Sequence, residues 1–411
     1  MKNAVIVANQ KIINIKKLGV IVMPFVQAKC PECGGMLAVD DSNKAANCQF
    51  CGETFIVQEA INNYNTYNIT NNNTNHNYSE GTVVNVYEDK TKGFVIESGV
   101  LKEYYGASID VVIPDGVIEI DKECFKDLKI RSVVIPNGVT SIDAYTFHGC
   151  ANLTSITIPD SVTNIGDYAF SGCVNLNSIS LPDSVTSIGN WAFHDCTNLK
   201  TIIISNNVAE IGEYAFHCCT NLSSITIPDS VTSIGQWAFC NCSNLTSITI
   251  PNNVTNISSC VFSGCRKLSS VSIPDGVTDI GDYAFSGCSN LTSIAIPDSV
   301  KSIGLCSFNG CSAITSIIIP EGVTYIDDLA FYDCTSLRYV SIPDSVTNIG
   351  DNAFNKCTNL RTLTLPKSVK NIGKDAFSDY WKSKGFCSHC GGSFGGFFKE
   401  KCNTCRKSKD Y

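Results

Sequence analysis

Basic charge is scarce in this chain of 411 residues: 30 Lys and Arg stand against 38 Asp and Glu, a formal net charge of −8. A surface built to grip phosphates needs clustered Lys and Arg, so this balance argues against nucleic acid as the main partner. Long apolar runs are lacking too. The longest near the N-terminus, Leu18 to Val26, is nine residues interrupted by Pro24, whereas a membrane helix needs about 20. With Lys16 and Lys17 before it and Val26-Gln27-Ala28 at its end, it has the outline of a poor signal peptide. The plainer reading takes Met23 as the natural start and residues 1–22 as an upstream extension. No anchor or sorting segment is expected at the C-terminus. Catalytic signatures are also missing: no phosphate-cradling glycine loop, no serine elbow and no helix with paired metal ligands. The five histidines, His76, His148, His194, His217 and His389, have no recognisable partners. An enzyme is not expected.

What the chain does have is a clock. Phe125, Phe147, Phe170, Phe193, Phe216, Phe239, Phe262, Phe285, Phe308, Phe331, Phe354 and Phe377 follow one another at 22 residues once and at 23 thereafter. A fixed period in the low twenties marks a solenoid, in which each unit buries its apolar side against its neighbours. In the unit Leu222 to Asn244, Leu222, Ile225 and Ile227 have strand spacing with Ile225 and Ile227 turned inward. Pro228-Asp229 ends the strand, because proline lacks the donor a ladder needs. Val231 and Ile234 return as a second extended segment. Gly235 is expected to permit a bend into one helical turn carrying Ala238, Phe239 and Cys242, and Asn244 to satisfy turn backbone groups.

The string Ile-Pro-Asp-Ser-Val-Thr-x-Ile-Gly-x-x-Ala-Phe-x-x-Cys-x-Asn-Leu recurs nearly intact, and over residues 94–380 it resembles the BspA-like class of bacterial leucine-rich repeats. Departures are local: Ser205 replaces the proline, Ile314 the leucine, and Leu128 and Tyr380 fill the cysteine slot at the two ends. The resemblance implies a curved parallel solenoid used for binding and without enzymatic activity; some members are surface-displayed. The expected fold is therefore α/β, about twelve 23-residue units of short parallel strands and short helical turns. The expected domains are an extension (1–22), a Cys-rich module (23–57), an Asn-rich linker (58–92), the solenoid with its N-terminal cap (93–380) and a second Cys-rich module (381–411). Within the linker, residues 61–78 hold nine asparagines and almost no core-forming residues.

The 23 cysteines divide cleanly. Ten form a ladder at one repeat position, from Cys150 through Cys173, Cys196, Cys219, Cys242, Cys265, Cys288, Cys311 and Cys334 to Cys357. Stacking sets them within disulfide reach, but the favoured role is a small apolar residue filling the corner beneath the Phe. Cys124, Cys218, Cys240, Cys260 and Cys306 are scattered. The remaining eight make two clusters. Cys30-Pro-Glu-Cys33 and Cys48-Gln-Phe-Cys51 are separated by fourteen residues, and Cys387-Ser-His-Cys390 and Cys402-Asn-Thr-Cys405 by eleven. Two CxxC knuckles bring four thiolates to one tetrahedral ion with no open position, as in a zinc ribbon. Two structural Zn2+ ions are therefore expected. In so small a module the metal supplies much of the folding energy. Odd cysteine number and CxxC pairs fit a reducing, cytoplasmic setting; secretion or surface display is the alternative.

Function then falls to surfaces. The strand face is a row of hydroxyls (Thr154, Ser155, Thr157; then Asn177, Ser178, Ser180) broken by Arg131, Lys200, Arg338, Arg361 and Tyr339. Two positions before five successive Phe run Tyr145, Tyr168, Trp191, Tyr214 and Trp237, followed in the same slot by Cys260, Tyr283, Cys306, Leu329 and Asn352; the five aromatics are either a recognition strip or a packing seam, with the seam favoured. His194, His217 and Cys240, with Cys218 beside them, align by repetition, and coincidence is the favoured explanation. The Asp row (Asp160, Asp183, Asp229, Asp275, Asp298, Asp344) is turn chemistry rather than calcium binding. A basic, aromatic neighbourhood around the last cluster (Lys399, Lys401, Arg406) raises nucleic acid as a lesser alternative. The expectation is a protein-protein interaction scaffold whose partner the sequence does not name.

Overall fold

A computed structural model describes residues 93–387 and Gly391, together with the backbone of five strands before them. Those strands are β1 (Phe25–Lys29), β2 (Met36–Asp40), β3 (Ala45–Asn47), β4 (Thr54–Ile56) and β5 (Val86–Asp89). The chain divides into two units, Met1–Asp89 and Lys90–Tyr411. In the first, β1 and β2 form an antiparallel hairpin with Lys29 opposite Met36, and β3 and β4 form a second with Asn47 opposite Thr54.

The second unit opens with β6 (Phe94–Glu97) and β7 (Val100–Tyr104), an antiparallel hairpin. Two rows of parallel strands come next. The first row begins with β8 (Asp110–Val112), Ser132–Val134 and Ser155–Thr157 and ends with Ser316–Ile318, Tyr339–Ser341 and Thr362–Thr364. The second is built of two-residue strands. It starts at β9 (Glu119–Ile120), which pairs with β7, and runs as a five-stranded sheet to Ser233–Ile234 and a six-stranded sheet from Asn256–Ile257 to Asn371–Ile372. Alternation does the sorting: in Ser247–Thr249 and Ser316–Ile318 the central Ile is buried and its neighbours are exposed.

All twelve clock phenylalanines are essentially fully buried. Consecutive rings stack at 4.9–5.7 Å and within 17° of parallel. Each burial contributes about 1.5–3 kcal/mol. Tyr104, 5.4 Å from Phe125, and Phe94 behind it extend the stack at its start. Trp381, 5.7 Å from Phe377, closes it at the other end.

The expected helical turn is not one. Among the described residues the only helix is α1 (Ser378–Ser383), so the array is a parallel β-solenoid joined by turns rather than an α/β alternation. The reason lies in the backbone. The residue two before every clock Phe, from Glu123 to Asp375, has φ of 52–62°, and the residue two after it is also left-handed in eleven repeats. A right-handed helix cannot carry such residues. Alternate amides consequently point in different directions. Ala238, Cys240 and Cys242 close local turns onto Gly235, Trp237 and Phe239, while Trp237, Phe239 and Asn241 donate to Ser259, Val261 and Ser263 of the next repeat. The corner is thus a third ladder along the stack.

Gly235 also works differently from expectation. It is not left-handed; a Cβ there would lie 2.4 Å from the Glu213 backbone N, and the same close approach recurs at Gly212, Gly350 and Gly373. Glycine is needed because neighbouring turns touch. Where Ser258 stands instead, its hydroxyl bonds the Ile234 carbonyl at 2.5 Å, the task that the Gly235 N–H performs on Ile211. The second row breaks at that junction, between Ser233–Ile234 and Asn256–Ile257. At Asp327, another substitute, pairing thins to the single pair Ile303–Ile326.

Candidate functional site

The cysteine ladder is architecture. All ten thiols are buried and each donates its S–H to the carbonyl of a clock Phe, as in Cys173 to Phe147 (3.2 Å) and Cys219 to Phe193 (3.1 Å). The same Phe147 carbonyl accepts the Cys150 N–H. Cysteine therefore fills the corner and satisfies a second lone pair that would otherwise be left buried without a partner. Burial pushes the Cys150 and Cys311 thiols up to about 12, which leaves them inert as nucleophiles. The fifteen cysteines from Cys124 to Cys357 form no disulfide.

Tyr145, Tyr168, Trp191, Tyr214 and Trp237 stack face to face at 3.9–5.6 Å, within 8° of parallel. Lys126 lies over the outer face of Tyr145. The ring faces, which a sugar would need, are occupied by one another, and only edges meet solvent. His148, His194 and His217 pack edge-on beneath this seam, with His194 and His217 stacked in parallel at 5.1 Å. Parallel rings do not converge on an ion, and among the described residues no three His, Cys, Asp or Glu side chains are grouped to hold a metal. Burial lowers the affinity of His194 and His217 for a proton. Cys218, the scattered residue beside them, occupies a left-handed corner position.

Part of the hydroxyl row is internal. Thr154, Thr246 and Ser269 donate to the carbonyls of Arg131, Ser223 and Thr246, one repeat back. The Ser of Pro-Asp-Ser does likewise, as in Ser230 to Val208 and Ser345 to Val323. Asn244 bonds the side chain of Asn221 rather than turn backbone, whereas Asn175 does reach the Ala151 carbonyl.

The outermost strand positions are different. Ser155, Thr157, Ser178 and Ser180 are exposed, and beside them the sequence reading missed large apolar side chains in the same row: Val112, Ile203 (64%) and Ile318 (67%). Those positions alternate outward, so burial cannot explain them. Arg131 is neutralised by Asp110. Arg338 and Arg361 are not: they are adjacent along the stack, the Arg361 N–H bonding the Arg338 carbonyl, and neither forms an ion pair among the described residues. Tyr339, 46% exposed, stands next to Arg338.

Of the cysteine clusters, Cys30 and Cys33 fall between β1 and β2, and Cys48 and Cys51 between β3 and β4, but all four lie outside the described residues. So do Cys390, Cys402 and Cys405, with Lys399, Lys401 and Arg406. Cys387 is described and buried. The Gly391 N–H bonds its carbonyl at 2.8 Å, with Gly391 left-handed at φ 66°. Of the four cysteines of the second cluster the structure thus describes Cys387 alone.

A parallel stack of 23-residue turns, each with a Phe, a Cys and an Ile-Pro-Asp turn, can be compared with known proteins. The family model described as the BspA type leucine rich repeat region matches residues 103–181, 163–292 and 278–386. The chain belongs to this family. Among solved structures, a leucine-rich repeat protein from Bacteroides ovatus ATCC 8483 is 29% identical, with a TM-score of 0.56, covering 74% of this chain and 92% of that one. A leucine rich cell surface protein from Faecalibacterium prausnitzii A2-165 is 27% identical (TM-score 0.41; 74% and 96% covered). A leucine-rich repeat protein of T. pallidum is 31% identical (TM-score 0.39; 47% and 83% covered). No curated protein matches the chain. Membership of the BspA-type family is consistent with a role in interaction or at a surface. Among the described residues no helix is long and apolar enough to cross a membrane.

Proposed function

We propose that this BspA-type chain is a non-enzymatic protein-interaction scaffold that binds through its first strand row. The observation that carries this reading is the contrast in surface use. The aromatic seam spends its faces on itself, whereas the strand row presents Ile318 and Tyr339 near Arg338 and Arg361, which form no ion pair among the described residues, and exposes Ile203 further along the same row. Exposed apolar anchors beside uncompensated arginines suit a partner that is acidic and partly apolar. Affinity capture with the full chain, followed by measured affinity for the captured protein, tests it. Arg338→Glu with Arg361→Glu is expected to weaken binding at least about tenfold, and Tyr168→Leu in the seam to leave it unchanged. The reverse pattern would move the site to the seam.

The reading includes two structural zinc ions, one held by Cys30, Cys33, Cys48 and Cys51 and one by Cys387, Cys390, Cys402 and Cys405. The hairpins that flank the first set and the Cys387–Gly391 turn in the second support it. Native mass spectrometry should find two Zn2+ per chain. The fifteen thiols without disulfides favour a reducing, cytoplasmic compartment. Fractionation that finds the protein outside the cell with oxidised cysteines would replace that placement with surface adhesion.

A further inference from the structure

Several ladders of the array stop at the same junction, between the repeat of residues 222–244 and that of residues 245–267. In the second row Ser233–Ile234 ends the five-stranded sheet and Asn256–Ile257 begins the six-stranded one. One repeat later the row is intact: Thr278 donates to the Thr255 carbonyl and Gly281 to that of Ile257. The equivalent amides at the junction, Thr255 and Ser258, have no acceptor among the described residues. The aromatic seam ends there too, with Trp237, because Cys260 stands where the next ring would be. Side-chain amide bonds run from Asn198 to Asn175, Asn221 to Asn198 and Asn244 to Asn221, and stop where Lys267 follows. Phe239 and Phe262, 5.7 Å apart, make the widest step of the ring stack.

The residues at this point explain the gap. Glycine at Gly212 and Gly235 lets successive turns touch, whereas Ser258 brings a side chain into the contact and spends its hydroxyl on the Ile234 carbonyl. Asp167 and Asn190 each accept the next repeat's amide at 2.7 Å, but the longer Glu213 and Gln236 in that slot accept none among the described residues. An open groove lined by Glu210, Glu213, Gln236 and Ser258 lies on this side, and a void of about 10 Å³ lies among Ile234, Val254, Ile257 and Phe262. The Phe corner, by contrast, is fully joined. Trp237, Phe239 and Asn241 donate to Ser259, Val261 and Ser263 at 2.7–3.1 Å, and the Cys265 thiol donates to the Phe239 carbonyl. The two repeats are therefore pinned at one edge and open at another.

We infer that the array is two cooperative segments, residues 93–244 and 245–387, hinged at the Phe corner and free to open along the second strand row. The stability of a solenoid is a sum of repeat terms and nearest-neighbour interfaces, so its weakest interface divides the units that open together. The thinned junction at Asp327 keeps the Ile303–Ile326 pair and lies within the second segment. The hinge does not depend on the binding reading above, but it falls between Ile203 and Ile318, both exposed on the first row. Its opening sets the spacing at which a partner meets those two side chains.

Hydrogen exchange resolved to single amides, on the full chain, tests this. In the wild type, Thr255 and Ser258 should exchange at least about tenfold faster than Thr278 and Gly281; equal protection would overturn the open edge. One core leucine is then cut in each segment. Leu199→Ala should speed exchange at Gly189 and Gly235 and leave Gly281 and Gly304 unchanged. Leu337→Ala should speed Gly281 and Gly350 and leave Gly212 and Gly235 unchanged. An effect that crosses the junction, or one confined to the substituted repeat, would overturn the two segments. In a Ser258→Gly background the Leu199→Ala effect should reach Gly281, and failure to do so would overturn this junction as the divider. Should an alanine variant fail to fold, Leu199→Val and Leu337→Val, which remove less, give the same outcomes.

Discussion

The two ends of the same array are finished in different ways. At the N-terminal end a hairpin of the chain's own β-structure, β6 and β7, lies over the first repeat, and Leu101, Val111, Ile113, Val117 and Ile120 are all 2% exposed or less. At the C-terminal end six residues of helix and one indole cover the Phe corner, while the strand side, at Leu363, Leu365, Val369 and Ile372, stays partly open. The β6–β7 hairpin and the parallel pairing of β7 with β9 close the first end, with Tyr104 and Phe94 continuing the ring stack over Phe125. The second end relies on side-chain packing and on the Cys387–Gly391 turn seated against α1. The first end is sealed by strand pairing and ring packing together, whereas the second covers its last ring with one indole and leaves Leu363, Leu365, Val369 and Ile372 less buried.

The sharpest way to break this contrast is to cut the same kind of residue at each end. Leu101→Ala opens a cavity in a site with no exposure and is expected to cost about 2–5 kcal/mol. Leu363→Ala, at a half-open site, removes less burial and should cost about 1 kcal/mol. Unfolding of a solenoid need not be all-or-none, so repeat-resolved hydrogen exchange is the appropriate measurement alongside denaturant titration. Equal losses at both ends would mean that the C-terminal strand side is as well covered as the hairpin side.

A smaller effect separates repeat junctions inside the array. Gly235→Ala places a Cβ 2.4 Å from the Glu213 N and must push two turns apart; overpacking of this kind costs about 1–3 kcal/mol. Ser258→Gly does the opposite, removing the side chain from the junction at which the second row breaks. That junction borders an open groove of about 530 Å³ lined by Glu210, Glu213, Gln236 and Ser258. The glycine variant should raise protection of the Asn256 and Ile257 amides, and the alanine variant should lower that of Ser233 and Ile234. No change in either would remove close approach as the reason for glycine in this slot.

These junctions also show what the sequence made legible. The period, the Phe stack, the strand rows and the Ile-Pro-Asp turns follow from spacing and from proline's missing donor, and they are present as expected. The corner reads as helical in the sequence because the residues before each Phe, Tyr145 to Trp237, are bulky aromatics that seldom adopt φ > 0. The signal that contradicts a helix lies four residues later, where Gly149, Gly172, Gly264, Gly287 and Gly310 alternate with Asp195, Asn241 and Asp333, the residue types that tolerate that region. Gly235 suggests a bend when read alone, since contact between neighbouring turns is invisible until they are stacked. The exposed Ile203 and Ile318 are hidden for a related reason: in a strand row of Ile and Val, only the register tells inward from outward.

The smallest expected effect concerns pH and divides the array along its length. The histidines of the solenoid, His148, His194 and His217, all lie in its N-terminal half, beneath the aromatic seam. Burial depresses the folded-state proton affinity of His194 and His217 below the ordinary value of 6.5. The unfolded chain therefore takes up protons first as pH falls, and stability is lost as pH drops below about 6.5, while nothing is lost above it. Repeats from Trp191 to Cys219 should then exchange faster at pH 5.5 than intrinsic chemistry accounts for, and repeats from Phe331 to Leu360, which hold no histidine, should not. His194→Gln with His217→Gln should abolish the difference between the halves. If the acid sensitivity survives in that variant, it belongs to the carboxylates common to both halves, and the ends differ in closure alone.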